Sequence, residues 1–266
     1  DAHSDETPGQ SPDEKTMNPA LRRYGRRVLP RAMRVHRILG GPLKGARIST
    51  SWHDYPGALL GRTERPLLAW FAANVAPGET WLDVGAQYGY TSIALSRLVG
   101  PEGRVFSFEP VIETAGHLHR TKMANRFSQM TVVPLALGDS AVLDLARVEI
   151  TRGMASPARA GAAMSLDLLS MGFDALRPSL GLACAPIHGV KIDVQGFEIA
   201  VLRGMREMLS DHRPRLIVEL HNGVGREEFL TLIAGIGYTR DVRELSGEPA
   251  TVLRDDISYV FTADNA

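Results

Sequence analysis

The sequence contains a single cysteine, Cys184, among its 266 residues. One cysteine cannot close an internal disulfide or build a cysteine-rich metal site, so the composition favours an intracellular, cytoplasmic protein. No general base is identifiable beside Cys184 in the sequence, and we do not expect it to act as a catalytic nucleophile.

The chain also lacks an excess of one charge and any long apolar run. Lys+Arg and Asp+Glu number 30 each, which gives no electrostatic reason to expect nucleic acid as a partner. The apolar runs fall far short of the ~20 residues that span a bilayer, and no signal-peptide h-region follows the N-terminus. We therefore predict a protein without a membrane span. Hydrophobic residues make up 44%, which suits one large domain with a core.

Three regions follow one another along the chain. Residues 1–20 are rich in Asp, Glu, Ser, Pro and Gly, and we expect a disordered tail. Residues 21–63 begin with arginines that alternate with apolar residues and are interrupted by Pro30. This pattern predicts a helical extension that caps the domain on its substrate side; an anionic surface or partner, or a second subunit in a homodimer, stays open. Residues 64–263 form the main domain.

Within the main domain, apolar residues switch repeatedly between helical and strand periodicity. Such alternation indicates right-handed crossovers and a mainly parallel sheet that is covered on both faces. A short helix is expected at 165–171 and a flexible loop at 151–163. The predicted helices are 64–75, 89–98, 112–125, 197–209 and 227–235, and the predicted strands are 80–84, 104–108, 130–136, 142–150, 188–194, 214–220, 238–242 and 257–262.

The turn after the first of these strands lacks two familiar nucleotide signatures. It has the spacing Asp-x-Gly-x-x-x-Gly, with Gly85 and Gly89, so it has neither the middle glycine of a dinucleotide fingerprint nor the Gly-Lys-Ser/Thr of a Walker A loop. A glycine-rich turn before a helix still lets a ligand approach the backbone and meet unpaired N–H groups. The pattern indicates a nucleotide-like ligand and disfavours an NAD-dependent oxidoreductase.

Two acidic residues narrow the choice of ligand. Asp83 ends the first strand and Glu109 follows the next one. An ionised carboxylate at Glu109 can accept both hydrogen bonds of a ribose diol, and one at Asp83 suits an ammonium group. S-adenosylmethionine carries both groups. Taken singly, Asp83 could instead be a turn residue and Glu109 a helix-capping partner.

Six sequence blocks together resemble the FkbM-type family of class I S-adenosylmethionine-dependent methyltransferases. The resemblance spans roughly residues 60–262 and implies a Rossmann-like α/β fold, whose seven-stranded, mostly parallel sheet has an antiparallel last strand and helices on both faces. It implies an enzyme that methylates a hydroxyl of a sugar or another natural product, or in some members an amide nitrogen. The blocks are 83–90, 103–110, 136–139, 166–167, 191–198 and 218–221.

The same resemblance implies the residues that bind S-adenosylmethionine. The methionine part of the cofactor is expected to contact the glycine turn and Asp193. The ribose is expected to contact Glu109 and Pro110, and the adenine is expected to contact the segment after the third strand. Gln87 and Gln195 depart from the family, which usually has Asn and Glu there; losing one carboxylate at 195 weakens a metal site, and we predict none. The full set is Asp83, Gly85, Ala86, Gln87, Tyr88, Gly89, Glu109, Pro110, Leu137, Gly138, Asp139 and Asp193.

A hydroxyl acceptor benefits from a general base, and open α/β sheets bind ligands at the carboxyl ends of their strands. His221 and Asp193 both lie there, and His221 is the better base because an unperturbed imidazole titrates near neutrality. Lys191 shares a strand face with Asp193. We predict these three as catalytic, with a buried ion pair for Lys191 and a loop role for His221 as structural alternatives.

The acceptor, a small molecule, is expected to meet an aromatic segment before the main domain and the polar residues of the last two blocks. An amide or amine acceptor would need less help from a base, so an N-methyltransferase is the main rival. A non-catalytic binding module that keeps the fold is another, with Gln195 as its hint. The predicted acceptor contacts are Trp52, His53, Tyr55, Gln195, Glu198 and Glu219.

Overall fold

The computed structural model describes residues 29–151, 154–157 and 166–264. The strands are β1 Arg34–Arg37, β2 Arg47–Thr50, β3 Thr80–Val84, β4 Arg104–Phe108, β5 Met130–Val133, β6 Ala136–Leu137, β7 Asp144–Thr151, β8 Met154–Pro157, β9 Leu166–Met171, β10 Gly189–Ile192, β11 Arg215–Leu220, β12 Arg243–Glu244 and β13 Ile257–Phe261. The helices are α1 Pro56–Leu60, α2 Arg65–Asn74, α3 Tyr90–Val99, α4 Ile112–Asn125, α5 Phe173–Leu176, α6 Glu198–Gly204, α7 Arg206–His212 and α8 Arg226–Ile236.

The main sheet has seven strands in the order β12-β13-β11-β10-β3-β4-β5. The five strands from β11 to β5 run parallel, and β13 pairs antiparallel with both β11 and β12. Neighbouring residues of β3 point to opposite faces: Leu82 packs with α6 residues such as Val201, and Trp81 packs with Phe71 of α2. The predicted class I methyltransferase fold is confirmed by this strand order and by helices on both faces.

The N-terminal segment forms a hairpin rather than the expected helical extension. Strand β1 pairs antiparallel with β2. The backbone groups of β1 therefore form hydrogen bonds across the hairpin and not within a helix. The hairpin rests on α4, where Ser49 receives a side-chain contact from His117 at 2.9 Å and donates its N–H to Thr121 at 2.9 Å. The tail and the first part of the extension, residues 1–28, lie outside the described residues.

A second sheet, in the order β6-β9-β7-β8, adds two more corrections. The helix expected at 165–171 is strand β9, because Leu168 is buried while Leu169 is half exposed, a period of two. The loop expected at 151–163 contains β8, which pairs antiparallel with β7; residues 152–153 and 158–163 lie outside the described residues.

Smaller differences have local causes. The strand expected at 130–136 divides into β5 and β6 around Pro134, which has no N–H to give to a ladder. The helix expected at 197–209 is interrupted at Met205 between α6 and α7. The strand expected at 238–242 is a single bridge from Tyr238, followed by β12. None of the helices in the described ranges is long and apolar enough to cross a membrane.

Candidate active site

A cavity of about 320 Å³ opens at the carboxyl ends of β3, β4 and β10. Its volume lies at the lower end of the range for small-molecule sites. The wall combines the glycine turn, the ends of these strands, the inner side of the second sheet and two residues that precede the main domain's first strand, Tyr55 and Glu64. Open α/β sheets bind ligands at this edge.

The glycine turn has the backbone shape that its spacing predicts. Gly85, Gln87 and Gly89 all have left-handed φ angles, of 79°, 48° and 90°. A Cβ atom on Gly85 would lie 1.8 Å from the carbonyl oxygen of Asp193, so only glycine fits there. Gly85, Gln87 and the intervening Ala86 line the cavity, as expected for cofactor-binding residues.

Two predicted cofactor residues of the same turn lie elsewhere. Tyr88 is buried, and its ring contacts the rings of Tyr55 and His117 with centroids 6.4 and 6.2 Å away. Gly89 begins helix α3, where a Cβ atom would lie 2.5 Å from the side chain of Leu118. The two residues therefore pack on the side of the turn away from the cavity and are not among its lining residues; that they contact the cofactor stays a prediction.

Glu109 lies one residue beyond the end of β4 and lines the cavity with Pro110. Its Oε2 accepts the backbone N–H of Gln87 at 3.0 Å, and its Oε1 accepts that of Val111 at 3.0 Å. Burial raises the pKa of Glu109 to about 7, although the two N–H groups oppose the shift. Each carboxylate oxygen keeps a free lone pair, so Glu109 can still accept the two hydroxyls of a ribose.

Asp83, in contrast, is completely buried beneath the turn. Its Oδ2 accepts hydrogen bonds from the hydroxyls of Thr91 at 2.7 Å and Ser92 at 2.5 Å. Its Oδ1 lies 3.4 Å from Nζ of Lys191. The carboxylate of Asp83 is thus bound by the protein's own groups, and Asp83 is absent from the residues that line the cavity. This burial argues against a contact with an ammonium group of the cofactor, which stays a prediction.

Lys191 links this buried acid to the cavity wall. Its Nζ lies 3.3 Å from Oδ2 of Asp193 and donates to the carbonyl oxygen of Gly85 at 3.2 Å. Burial alone would lower the pKa of Lys191, but the charges of Asp193 and Asp83 hold it above its ordinary value. Lys191 therefore remains charged and holds the glycine turn against β10. This is the buried ion pair that the sequence left open as the structural alternative for Lys191.

His221 follows β11 and is 3% exposed. Its Nδ1 lies 2.7 Å from Oε1 of Glu198, and its Nε2 lies 3.4 Å from Oδ1 of Asp193. Burial alone would lower the pKa of His221, but the hydrogen bond with Glu198 and the nearby carboxylates of Asp193 and Glu219 raise it to about 9. A histidine that is protonated at neutral pH cannot take a proton, so this raised pKa argues against His221 as the general base; its catalytic role stays a prediction.

The predicted acceptor residues separate into two groups. Tyr55 and Gln195 line the cavity. Trp52 packs edge-on against His36, with ring centroids 6.2 Å apart, and His53 contacts the carboxylate of Asp54 at 3.0 Å. The remaining two, Glu198 and Glu219, lie behind Asp193 around His221.

The adenine-side prediction agrees with the cavity wall, since Leu137, Gly138 and Asp139 all line it. Asp193, expected to serve both the cofactor and catalysis, lines it as well. The charge of Lys191 and that of His221 lower the pKa of Asp193, against the effect of its burial. Asp193 therefore stays ionised at the carboxyl end of β10.

Glu64 and Tyr90 are among the residues of the wall that were not predicted as site residues from the sequence. Glu64 precedes α2 with a left-handed φ of 53° and lines the cavity. Burial and the charge of Asp193 raise the pKa of Glu64 to about 7. Tyr90 also lines the cavity, and its buried hydroxyl has no hydrogen-bond partner among the described residues. The one sequence signal for Glu64 was its place at the start of a predicted helix, ahead of Pro66. Tyr90 was included in the block 83–90 as its last residue, but was not predicted as a site residue.

A family model described as the methyltransferase FkbM domain matches residues 184–245. Over this segment the chain is similar to the FkbM methyltransferase domain. The matched segment includes two of the six blocks on which the resemblance rested, 191–198 and 218–221. The match supports the S-adenosylmethionine-dependent methyltransferase activity that the resemblance implies.

Solved structures of other methyltransferases are similar to this chain at low sequence identity. The methyltransferase FkbM of Methylobacillus flagellatus KT is 18% identical, with 79% of this chain and 52% of that chain covered and a TM-score of 0.46. Fibrillarin of Aeropyrum pernix, solved with natively bound S-adenosyl-L-methionine, is 16% identical over 87% of this chain and 83% of that one, with a TM-score of 0.47. A SAM-dependent O-methyltransferase of Thermotoga maritima is 15% identical over 76% and 64%, with a TM-score of 0.46.

This chain thus spans about half the length of the Methylobacillus flagellatus protein. No curated protein matches it.

Proposed function

We propose that this protein is an S-adenosylmethionine-dependent methyltransferase, which transfers the methyl group to a hydroxyl of a sugar or another natural-product small molecule. The observation that carries the proposal is Glu64, a carboxylate in the cavity wall whose pKa burial raises to about 7. A hydroxyl acceptor must lose its proton as the methyl group arrives, and a base that titrates near the working pH is best suited to take it.

The described residues fit the cofactor. Gly85 lines the cavity, Glu109 offers a carboxylate that accepts hydrogen bonds when ionised, and the buried hydroxyl of Tyr90 lacks a partner among the described residues. When bound, S-adenosylmethionine supplies an electrophilic methyl group on sulfur. The protein mainly has to position the acceptor, and such positioning can supply ~7–11 kcal/mol of the barrier.

The roles of the charged residues follow from their contacts. Glu64 takes the proton of the acceptor hydroxyl, a contribution of roughly 10²–10⁴-fold in rate. Lys191 holds Asp193 and the turn together through contacts of 3.3 and 3.2 Å. His221, with its pKa raised to about 9, acts as a fixed positive neighbour of Asp193 and not as the base.

The proposal includes a small-molecule acceptor and not nucleic acid, because the positive and negative residues balance at 30 each. We also propose a cytoplasmic location, for which the single cysteine is the support. A homodimer through the N-terminal extension stays a prediction.

Methyl transfer to sugar and polyketide hydroxyls, followed by mass spectrometry, tests the proposal. Glu64→Gln should lower kcat by roughly 10²–10⁴-fold and leave the Kd of S-adenosylmethionine unchanged. Glu113→Gln, at an exposed position of α4, is the matched control and should retain full activity.

Three results would contradict this function. Full activity of Glu64→Gln on a hydroxyl would exclude Glu64 as the base. Methylation of amides or amines alone would indicate the N-methyltransferase. Cofactor binding without turnover on any class of acceptor would indicate the binding module.

A further inference from the structure

We infer that the protein binds a divalent metal ion through Asp193, Glu219 and His221, at the edge of the sheet between β10 and β11. This inference concerns ion binding by the free protein and does not rest on the proposed methyl transfer. Among the described residues, these three offer ligand atoms that all lie within 4.8 Å of one another.

The distances between the three ligand atoms suit a shared ion. Nε2 of His221 lies 3.4 Å from Oδ1 of Asp193 and 3.6 Å from Oε1 of Glu219. Two atoms that each lie about 2.1 Å from the same ion are about 3.4 Å apart in tetrahedral geometry. The side chains therefore need little movement to close around an ion.

Each of the three side chains is held by its other polar atom. Glu198 lies 2.7 Å from Nδ1 of His221, Ser258 donates its hydroxyl to Oε2 of Glu219 at 2.8 Å, and Lys191 lies 3.3 Å from Oδ2 of Asp193. An ion would displace the Nε2 proton of His221, while Nδ1 keeps its proton for Glu198. This arrangement, with a carboxylate behind a ligating histidine, is the usual outer shell of a protein metal site.

Charge balance in a buried setting supports the same assignment. The side chains of Glu198 and His221 are 0% and 4% exposed, and that of Glu219 is 13% exposed. Buried charges are stable only when they are paired or bind a metal. Lys191, a cation in contact with Asp193, is shared with Asp83. An ion that displaced the Nε2 proton of His221 would take over the positive charge beside the carboxylates of Asp193 and Glu219.

Gln195 fits this balance. Its side-chain Nε2 lies 2.7 Å from Nε2 of His221, and the amide would turn its oxygen toward the ion or move aside. Because the amide is neutral, Asp193 and Glu219 together match the two charges of a divalent ion. A glutamate at 195, which the resemblance led us to expect, would add a third negative charge.

The donor set also indicates which ion. Two carboxylates with one imidazole suit Mn²⁺, Zn²⁺ or Fe²⁺ better than Ca²⁺ or Mg²⁺, which prefer oxygen ligands throughout. Asp193 and Gln195 line the cavity, so the ion would border the space for the acceptor and act there as a Lewis acid on an oxygen atom.

Titration of the full chain with Mn²⁺, followed by the electron paramagnetic resonance signal of the free ion, tests the inference. We expect one site per chain, with competition by Zn²⁺ and a higher melting temperature in the presence of the ion. Glu219→Gln and His221→Ala should abolish it. Ser258→Ala keeps all three ligands and should weaken binding about tenfold, the lower end of the effect of outer-shell changes.

The controls are His119→Ala and Glu227→Gln, which change residues outside the cluster and should bind the ion normally. Circular dichroism verifies that each variant is folded. If His221→Ala does not fold, the affinity of Ser258→Ala for Mn²⁺ is the deciding measurement. No binding of Mn²⁺ or Zn²⁺ tighter than ~1 mM by the unaltered chain would overturn the inference, as would binding that survives Glu219→Gln. If the protein binds the ion but methylates no hydroxyl, that result would contradict the proposed function and leave the metal site standing.

Discussion

Asp83 and Glu109 lie at the carboxyl ends of adjacent parallel strands, but only Glu109 reaches the cavity wall. Asp83 is still inside β3, where it pairs in register with Ser107 of β4. Glu109 lies one residue beyond β4, two register positions further along than Asp83. Two positions of register therefore separate an acid that stabilises the protein from an acid that can bind a ligand.

The two acids are also neutralised differently. The partners of Asp83 are side chains, the hydroxyls of Thr91 and Ser92 and the ammonium of Lys191. The partners of Glu109 are backbone N–H groups that belong to the turn itself. Loss of Asp83 should therefore be felt mainly as stability, and loss of Glu109 mainly as ligand affinity.

The largest expected effect is that of Asp83→Ala on stability. The substitution leaves Lys191 and two buried hydroxyls without their common partner, which we expect to lower the free energy of unfolding by roughly 3–5 kcal/mol. Urea denaturation followed by circular dichroism measures it, with Asp211→Ala, an exposed change on α7, as control. Equal stability of the two variants would remove the distinction between the acids.

Glu109→Gln should act mainly on the cofactor. A hydrogen bond to a charged group contributes ~1.5–3 kcal/mol, so the Kd of S-adenosylmethionine should rise roughly 10–100-fold. Calorimetry measures the Kd, and the exposed Glu113→Gln serves as control. An unchanged Kd would mean that Glu109 only supports the turn.

The pH dependence of cofactor binding gives a third test. The pKa of Glu109 is raised to about 7, so the unbound carboxyl gains a proton as the pH falls from 8 to 6 and can no longer accept both ribose hydroxyls. We expect the Kd of S-adenosylmethionine to increase, by up to about tenfold per pH unit below 7, more in the unaltered protein than in Glu109→Gln.

Stability should change in the opposite direction over the same interval. A raised carboxyl pKa means that the folded state binds more protons than the unfolded state between the ordinary pKa and about 7, so this contribution to stability is lost as the pH rises through that window. Parallel pH profiles of Kd for the two proteins would argue against a role for the charge of Glu109.

The smallest expected effect is that of Gln87→Asn. Residue 87 has a φ of 48°, and asparagine adopts this left-handed conformation more readily than glutamine, so the turn should gain up to about 1 kcal/mol of stability. Thermal unfolding measures the gain, and cofactor affinity should stay the same. A tenfold loss of affinity would show that the Gln87 side chain itself contacts the ligand.

The sequence predicted what depends on local order. The glycines at 85 and 89 and the acid at 109 follow directly from strand, turn and helix spacing, and the structure places Gly85 and Glu109 in one wall. The order of strand and helix patterns likewise predicted the parallel sheet. The strand register could not be predicted, since spacing alone does not say whether the side chain of Asp83 is buried within the sheet or lies beyond its edge.

What depends on distant neighbours could not be predicted. His221 looked like a base because an isolated imidazole titrates near neutrality, but Glu198 and Asp193, on other segments, raise its pKa to about 9. Glu64 reaches the cavity only because α2 begins beside it. Strand β9 resembled a helix because its pairing partner, β7, is separated from it in the sequence.

The close approach of Gly85 to the carbonyl oxygen of Asp193 has a consequence for building chimeric enzymes. The main-chain atoms of the glycine turn and of the residue after β10 are in close contact. A Cβ atom added to Gly85 would lie only 1.8 Å from the carbonyl oxygen of Asp193. A graft that exchanges residues 83–90 between relatives should succeed only when residues 191–195 are exchanged as well. The two segments, far apart in the gene, form one unit of recombination.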